Sequence, residues 1–395
     1  MNAAVDVVRP ARSWSGYQQA IFDFAAQDVR PKRLVIKAGA GSGKTTTGEE
    51  LVRRLNGSHI FLAFNRPIAE ELRARGLNGS TFHALARGPV LKAKHLYQID
   101  KDKVKNFVYN NFDETEEQLS YYGAFVIKLV GLAKNAGIGC LIEDTEANWY
   151  QLAIHHDLEL EHEKADWAEA LRLSRRVLAW SNRTNSVDFD DLMYFAVKDG
   201  IVFNKFDNVV VDEGQDTNAI QIAFIRKLMH ENSDLYVVGD DSQAIYGFRG
   251  ADSDALDNIV KAFDASRLPL TISYRCASKI VDYAKQFGEI EAAPGAVEGV
   301  VRPAELNKAE IEALVPGDLI VCRCTAPLIQ AAYALMKARK APHVMGRSIH
   351  EGLRSLVTRL NAKGIDNLIL KIAAYTQREI EKARARDQES KVEAI

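Results

Sequence analysis

The sequence of 395 residues contains few cysteines, and they show no paired spacing. The four cysteines are Cys140, Cys276, Cys322 and Cys324. Sparse, unpatterned cysteine argues against a disulfide framework and favours a reducing compartment. Cys322 and Cys324 are spaced as on one face of a strand, and no second Cys or His pair flanks them. This spacing therefore predicts a buried strand face rather than two metal ligands.

Long hydrophobic runs and a strong net charge are also missing. No apolar stretch reaches the roughly 20 residues of a membrane-spanning helix, and the N-terminus lacks the apolar core of a signal peptide. These absences predict a cytoplasmic protein with no membrane partner. The formal net charge of −2 gives no global sign of nucleic-acid binding, although a local basic groove would not show in this total.

A glycine-rich stretch is the strongest single motif. Residues 38–46 read AGAGSGKTT and follow the apolar run Leu34–Ile36. A strand that leads into such a turn is the sequence form of a P-loop, which holds nucleotide phosphates on backbone N–H groups. Lys44 would supply charge to the β- and γ-phosphates of ATP, and Thr45 a hydroxyl ligand for Mg²⁺. Ala38 departs from the usual pattern, which has glycine there. The predicted nucleotide-binding residues in this stretch are Ala38, Gly39, Ala40, Gly41, Ser42, Gly43, Lys44, Thr45 and Thr46.

Two acidic residues follow a second apolar strand. Asp212 and Glu213 come directly after Val209–Val211, the position at which P-loop ATPases hold Mg²⁺ and the attacking water. We predict that Asp212 is the carboxylate on the metal side and that Glu213 is the base that orients water. The alternative is a polar loop at the end of a strand, and the P-loop upstream favours the catalytic interpretation.

The pattern around these acids is more specific. Residues 212–216 read DEGQD, and residues 238–251 read VGDDSQAIYGFRGA. Together they resemble the UvrD/Rep-type helicases of superfamily 1, whose P-loop commonly begins with alanine, as at Ala38. Gly214 is a mild departure, because the family usually has alanine or an aromatic residue there, and we expect local flexibility of the loop. The DFDDL segment at residues 188–192 also matches the family, and we interpret it as structural.

The resemblance implies roles for further residues at the nucleotide. Gln18 would hydrogen-bond adenine, although the neighbouring Gln19 leaves the register open by one residue, and Tyr274 would stack on the base. Gln243 would contact the γ-phosphate or its water, and Arg275 would reach the γ-phosphate as an arginine finger. Alternatively, Tyr274 is a core residue and Arg275 is a surface residue.

The resemblance also implies a surface for single-stranded DNA or for a junction of single- and double-stranded DNA. Aromatic side chains stack on bases without sequence preference, and arginine pairs with phosphate. Alternatively, the residues concerned have only structural roles, at strand ends, in turns or as aromatic residues of the core. The residues implied as nucleic-acid contacts are Phe64, Asn65, Thr81, Phe82, His83, Tyr246, Phe248 and Arg249.

We predict an α/β fold with a RecA-like parallel sheet. Two or three domains are expected for this length. By the resemblance, residues 1–90 and 186–265 form the ATP-binding domain 1A, residues 91–185 a helical insertion 1B, and residues 266–395 part of a second RecA-like domain 2A. The predicted strands are Arg33–Lys37, Ile60–Phe64, Asn208–Val211, Asp234–Val238, Leu270–Tyr274 and Asp318–Cys322.

Two late motifs of the family are not found between Met345 and Ile395. The resemblance runs from the segment around Gln18 to the predicted strand that ends at Cys322. We therefore expect a truncated ATP-dependent DNA helicase or single-stranded DNA translocase, moving 3′ to 5′, completed by a further segment or a protein partner. The alternatives are a module that binds nucleotide and single-stranded DNA without unwinding, and a P-loop ATPase of another class.

Overall fold

The computed structural model describes residues 13–112, 116–160, 162–243, 254–322, 325–344 and 364–385. The chain divides into two compact units, Met1–Val301 and Arg302–Ile395. Unit 1 contains the P-loop and the two acids, so it is the unit that positions the site.

Unit 1 is centred on a six-stranded sheet in which every strand pair is parallel. Its strands are β1 (Arg33–Ala38), β2 (His59–Ala63), β3 (Gly79–Thr81), β4 (Phe206–Val211), β5 (Met229–Gly239) and β6 (Ser266–Leu270). The order across the sheet is β3-β2-β4-β5-β1-β6. The carboxyl ends of β1, β5 and β4 are therefore neighbours. This order brings the P-loop and the polar segments that follow β4 and β5 together at one edge of the sheet. The predicted α/β fold and the strands β1, β2, β4 and β5 are confirmed with shifted ends, whereas β3 was not predicted.

Both faces of the sheet are buried, because successive strand residues point into two separate hydrophobic cores. In β1, Val35 belongs to one core, while Leu34 and Ile36 belong to the other. In β4, Val209 joins the core of Val35, and Val210 joins that of Leu34. Burial on both sides is the reason why these strands read as continuous apolar runs.

Helices cover the two faces of this sheet. Several begin at a side chain that accepts a hydrogen bond from the first turn, as at Ser15, Asn65 and Asp188, which satisfies N–H groups that lack a helical partner. The helices are α1 (Gly16–Ala26), α2 (Lys44–Arg54), α3 (Arg66–Ala74), α4 (Phe82–Ala93), α5 (Lys103–Asn111), α6 (Glu116–Ala136), α7 (Glu146–His155), α8 (Trp167–Arg183), α9 (Phe189–Lys198), α10 (Ala219–Lys227), α11 (Ala255–Phe263) and α12 (Ser278–Ala284).

The described residues between β3 and β4 form the helices α4 to α9, in line with the helical character predicted there. Val126 of α6 and Leu171 of α8 share one hydrophobic core with Leu62 of β2. Leu171 and Leu178 are buried, while Trp167 is partly buried against the same core. Residues 148–180 contain no glycine or proline, yet they do not form one helix, because α7 ends at His155 and α8 begins at Trp167.

A buried ionic cluster ties these helices to α9. Lys103 of α5 lies 2.5 Å from Asp191 Oδ2, and Lys134 of α6 lies 2.7 Å from both Asp188 Oδ2 and Asp191 Oδ1. Burial opposes charge on Lys134, yet the contacts with Asp191 and Asp188 outweigh it and raise its pKa. Asp188 and Asp191 of the DFDDL segment therefore have the structural role that we inferred for it.

Two strand predictions differ from the structure. The main-sheet strand β6 ends at Leu270, where the predicted strand Leu270–Tyr274 was to begin, and a separate short strand β7 (Ile272–Ser273) pairs with β8 (Glu291–Ala292). The predicted strand Asp318–Cys322 is wrong, because residues 319–322 form no regular element. Cys322 is exposed rather than on a buried strand face, and Cys324 lies outside the described residues.

The regular elements among the described residues of unit 2 are helices, where we had predicted part of a second RecA-like domain. Its helices are α13 (Lys308–Ala313), α14 (Thr325–Lys337) and α15 (Ile365–Ala385), and the ammonium group of Lys340 donates to the carbonyl groups of Glu312 and Leu314. The compact units divide after Val301, and the domains 1A, 1B and 2A remain a prediction. Within the described parts of both units, no helix combines the length and apolarity needed to cross a bilayer.

Candidate nucleotide site and nucleic-acid cleft

The P-loop is a tight turn between β1 and α2. Gly41 and Gly43 have φ values of 71° and 85°, which is the left-handed region that glycine adopts without strain. Gly39 N donates to Leu270 O of β6 at 2.9 Å, and Ser42 N donates to Gly39 O at 3.3 Å. Of the predicted phosphate-binding residues 38–46, Ala38 ends β1, residues 39–43 form the loop, and residues 44–46 form the first turn of α2, where backbone N–H groups favour anions.

The segment after β6 packs directly against this loop. A Cβ atom on Gly41 would lie 2.6 Å from Arg275 Cβ and 2.9 Å from Ser273 Oγ. Tyr274 N donates to Gly41 O at 2.9 Å. The structure thus places Tyr274 and Arg275, two residues implied at the nucleotide, beside the P-loop and within the same compact unit.

The two acids at the end of β4 meet the P-loop. Lys44 Nζ lies 3.0 Å from Glu213 Oε2, and Thr45 Oγ1 donates to Asp212 Oδ2 at 3.1 Å. Asp212 is buried, whereas Glu213 is partly exposed. Four predicted residues, about 170 positions apart in the sequence, therefore form one cluster.

Burial sets the electrostatics of Asp212. Desolvation, followed by repulsion from Glu213, raises the pKa of Asp212 to about 6, although hydrogen bonds from Thr45 and from the Glu213 N–H oppose the shift. A cation beside this carboxylate would favour its charged form. Glu213 itself has φ 53°, ψ 46°, a left-handed conformation that costs a non-glycine residue about 1–2 kcal/mol.

Two residues of this site, Gln215 and Asp240, were not among the predicted contacts. Gln215 Nε2 donates to Glu213 Oε2 at 2.8 Å, and Gln215 Oε1 accepts from Asp240 N at 2.9 Å. Gln243 Nε2 in turn donates to Asp240 Oδ2 at 2.6 Å. The signal in the sequence is the pair of polar segments, DEGQD and GDDSQ, that follow strands lying next to each other in the sheet.

Gly214 is required by close packing. A Cβ atom there would lie 2.4 Å from Val237 Cγ1 and 3.0 Å from Leu256 Cδ2. The glycine begins a buried turn of 3₁₀ helix, Gly214–Asp216. We expected flexibility from this departure, and the structure shows a packed turn instead.

Gln18 lies against the P-loop helix. Its Nε2 donates to Thr47 Oγ1 of α2 at 3.0 Å, and its Oε1 accepts from Ser15 N at 3.1 Å. Gln19 is exposed and donates to Asp23 at 2.7 Å. The geometry therefore favours Gln18 over Gln19 as the residue next to the nucleotide.

A cleft of about 520 Å³ adjoins this site. Four of the implied nucleic-acid residues line it, while Thr81 instead caps α4 by accepting from Ala84 N at 3.2 Å. Tyr246, Phe248 and Arg249 lie outside the described residues. The lining residues are Phe64, Asn65, Phe82, His83, Ile127, Lys128, Gly131, Leu132, Asn135, Asp190, Asp216, Asn218 and Gln221.

The cleft walls contributed by α6, α9 and α10 were not predicted. Lys128, Asp190 and Gln221 lie on three elements that the fold alone brings together. Burial, followed by repulsion from Asp188, raises the pKa of Asp190 to about 6, and Asn135 donates to its Oδ1 at 3.4 Å. Burial also lowers the pKa of His83.

A second cavity, of about 370 Å³, lies between the acids and the cleft. Glu213, Gln215 and Gln243 line it on the nucleotide side. Phe64 and Asn65 line this cavity and also the larger cleft. Asp216 lines both as well, so three residues border both spaces.

A phosphate-binding loop that meets two acids at the edge of a parallel sheet defines a P-loop protein of the RecA-like α/β class. Residues 23–264 match the UvrD/REP helicase N-terminal domain. Because this match covers more than half of the chain, the chain belongs to the UvrD/REP helicase family.

Curated relatives carry helicase names. DNA helicase II of Escherichia coli is 29% identical over 290 residues, which are 64% of this chain and 37% of that protein. DNA helicase II of Haemophilus influenzae is 27% identical over 289 residues, 64% of this chain and 38% of that protein. The ATP-dependent DNA helicase PcrA of Leuconostoc citreum is 28% identical over 288 residues, with shares of 64% and 36%. The chain thus spans less than two-fifths of the length of these relatives.

Proposed function

We propose that this chain is the nucleotide-binding and strand-gripping part of an ATP-dependent DNA helicase or single-stranded DNA translocase. The observation that carries the proposal is the pair of contacts at the P-loop, Lys44 to Glu213 at 3.0 Å and Thr45 to Asp212 at 3.1 Å. They support the proposal because phosphoryl transfer to water needs a phosphate-binding cation, a hydroxyl ligand for the metal and carboxylates close together.

The oxygen atoms of Thr45 and Asp212 fit Mg²⁺. Their separation of 3.1 Å at the mouth of the loop presents a hydroxyl and a carboxylate side by side, and Mg²⁺ is usually held by one or two carboxylates together with substrate phosphates. In that place the ion would neutralise charge on the phosphate oxygens and favour the ionised form of Asp212.

The remaining residues of the site act on the nucleotide and on water. Lys44 exchanges its contact with Glu213 for the phosphates, and this exchange frees the Glu213 carboxylate to orient the attacking water. Gln18 and Tyr274 hold the adenine, and Arg275 stabilises charge that develops on the γ-phosphate. Gln243, on the turn after β5, contacts that phosphate when it is present, so its contacts differ between the ATP-bound and ADP-bound states.

Single-stranded DNA would occupy the larger cleft. Phe64, Phe82 and His83 give it aromatic surface for stacking, and Lys128 gives it a cation for the backbone. We further propose that the motor moves 3′ to 5′ and that its substrate includes a junction of single- and double-stranded DNA. Its proposed location is the cytoplasm. Because the match covers less than two-fifths of each of these relatives, we assign strand separation to this chain together with a further segment or protein partner.

Steady-state ATP hydrolysis, measured with and without single-stranded DNA, separates this proposal from its alternatives. A motor hydrolyses ATP and is stimulated by the DNA. A regulatory module binds nucleotide and DNA but shows no turnover, and an unrelated P-loop ATPase turns over at a rate that DNA leaves unchanged. Either of the last two results would reject the motor.

Glu213→Gln tests the assignment of the base. The amide keeps the shape of the side chain but cannot accept a proton, so we expect turnover to fall by about 10²–10⁴-fold. Affinity for ATP should stay within about threefold, because Lys44 and the loop N–H groups remain. Fluorescent-nucleotide titration and a phosphate-release assay measure the two quantities, and retained turnover would reject Glu213 as the base.

A further inference from the structure

Gln215 is buried at the centre of a hydrogen-bonded chain that joins two loops. Its side chain is 2% exposed. Its Nε2 donates to Glu213 Oε2 at 2.8 Å, and its Oε1 accepts from Asp240 N at 2.9 Å. Both functional atoms of the amide are therefore used, one on the loop after β4 and one on the loop after β5.

The backbone at the end of β5 packs closely against Gln215. A Cβ atom on Gly239 would lie 2.8 Å from Gln215 Oε1 and 3.0 Å from Gln215 N. A glycine at the end of β5 thus lets the amide reach the next N–H group, that of Asp240. The fixed geometry implies that a movement of the Asp240 turn displaces the Gln215 amide with it.

The far end of the chain of hydrogen bonds reaches Gln243. Asp240 Oδ2 accepts from Gln243 Nε2 at 2.6 Å, and Asp240 Oδ1 accepts from Ser242 N at 3.0 Å. Ser242 and Gln243 of this turn line the smaller cavity, which Phe64 and Asn65 also line. Those two residues also line the cleft assigned to DNA.

At the near end, Glu213 Oε2 accepts from both Lys44 and Gln215. When Lys44 turns to phosphate, the amide of Gln215 is the donor that still orients the carboxylate. A carboxylate that orients water must be held within a narrow range of positions, because small misplacements slow the reaction strongly.

We propose that Gln215 is a positioning residue that couples occupancy of the DNA cleft to the orientation of Glu213. This inference rests on the proposed function and adds its regulation. DNA bound against Phe64 and Asn65 fixes the position of the Asp240–Gln243 turn. The hydrogen bonds of Gln215 transmit that position to the Glu213 carboxylate. The nucleotide contacts do not pass through Gln215, so its loss should act on turnover and not on ATP binding.

Two variants of the full chain test this. Gln215→Leu keeps the volume and removes both hydrogen bonds, while Gln215→Glu keeps the acceptor for Asp240 N and places a second carboxylate against Glu213. In both we expect kcat at saturating oligothymidylate to fall by at least about tenfold, with KM for ATP within about threefold. The ratio of DNA-stimulated to basal kcat should approach one. Gln19→Leu, which alters an exposed glutamine bound to Asp23, should keep the wild-type ratio.

The outcomes separate the inference from the proposed function. If the wild-type chain is not stimulated by DNA, the proposed function fails and the inference fails with it. If the wild-type chain is stimulated and Gln215→Glu, verified as folded by its thermal midpoint, keeps the wild-type ratio, the inference alone is overturned. A parallel rise in KM would assign Gln215 to nucleotide binding and would overturn it as well.

Discussion

At the scale of single residues, neighbouring carboxylates occupy contrasting environments. Asp212 is buried and its pKa is raised to about 6, whereas Glu213 is 26% exposed and contacts the ammonium group of Lys44. Environments that differ in this way let two adjacent acids take different tasks. Here the buried one is suited to a metal ion and the accessible one to water.

Asp190 gives a pH-dependent prediction. Its pKa is raised to about 6 by burial and then by Asp188, against Lys134 and Asn135, while an unfolded aspartate titrates near 3.9. The folded state therefore binds more protons than the unfolded state, and stability from this group is lost as pH rises from about 4 through 6. Asp190→Asn should raise the free energy of unfolding by about 1 kcal/mol more at pH 7.5 than at pH 5. Urea unfolding at the two pH values measures this, and an equal effect at both would contradict it.

At the scale of elements, the helix that follows the P-loop packs closely on the sheet. A Cβ atom on Gly48 of α2 would lie 2.9 Å from Phe61 Cζ of β2, and Phe61 is fully buried. The glycine therefore lets the helix approach the strand. This approach fixes the distance between the start of α2 and the carboxyl ends of the strands.

Gly48→Ala and Gly16→Ala form a matched pair that tests this packing. Nothing lies within 4 Å of a Cβ atom on Gly16, so that substitution should gain up to about 1 kcal/mol of helix propensity. Gly48→Ala meets the Phe61 ring, so it should be less stable than Gly16→Ala by about 1–3 kcal/mol. Denaturant unfolding gives both values, and equal gains would show that Phe61 moves aside freely.

The ionic cluster between α5, α6 and α9 gives a second prediction at this scale. Lys134→Met leaves Asp188 and Asp191 with one cation, and breaking a buried pair costs about 3–5 kcal/mol. Lys279→Met removes an exposed pair with Glu298, 2.6 Å apart, and should change stability by about 0.5 kcal/mol or less. Thermal and urea unfolding compare the two variants, and similar losses would show that the buried cluster contributes no more than a surface pair.

The sequence predicted the interior strands of the sheet but missed its edges. The interior strands β1, β4 and β5 are apolar on both faces, so their continuous apolar runs predict them from the sequence. The edge strand β6 carries Arg267 and Pro269, since an edge tolerates charge and a missing N–H group. The opposite error occurred at Asp318–Cys322, where Leu319 and Val321 alternate as in a strand but are 73% and 80% exposed.

The candidate site was predictable where its residues lie in short motifs. Lys44, Asp212 and Glu213 were predicted because each follows a strand in a recognisable pattern. Lys128 and Asp190 were missed as cleft residues because they enter through the packing of α6 and α9, which no local pattern describes. The bridge made by Gln215 depends on the neighbouring positions of β4 and β5 in the sheet.

At the scale of the whole molecule, unit 1 puts the candidate nucleotide site and the cleft proposed for DNA at one edge of one sheet. Glu213 and Gln243 border the smaller cavity, and Phe64 and Asn65 border both cavities. Ligands at two sites that share a wall can bias the same loops, and the coupling between them must be reciprocal. Alternating affinity for DNA is what a stepping motor requires.

Binding of a fluorescent oligothymidylate to the full chain therefore tests the coupling between the nucleotide site and the cleft. Its Kd is measured without nucleotide, with ADP and Mg²⁺, and with a non-hydrolysable ATP analogue and Mg²⁺. We predict that these Kd values differ by at least about fivefold, and that the oligonucleotide changes nucleotide affinity by the same factor. Identical Kd values in all three conditions, with nucleotide binding verified separately, would contradict the coupling of the two sites.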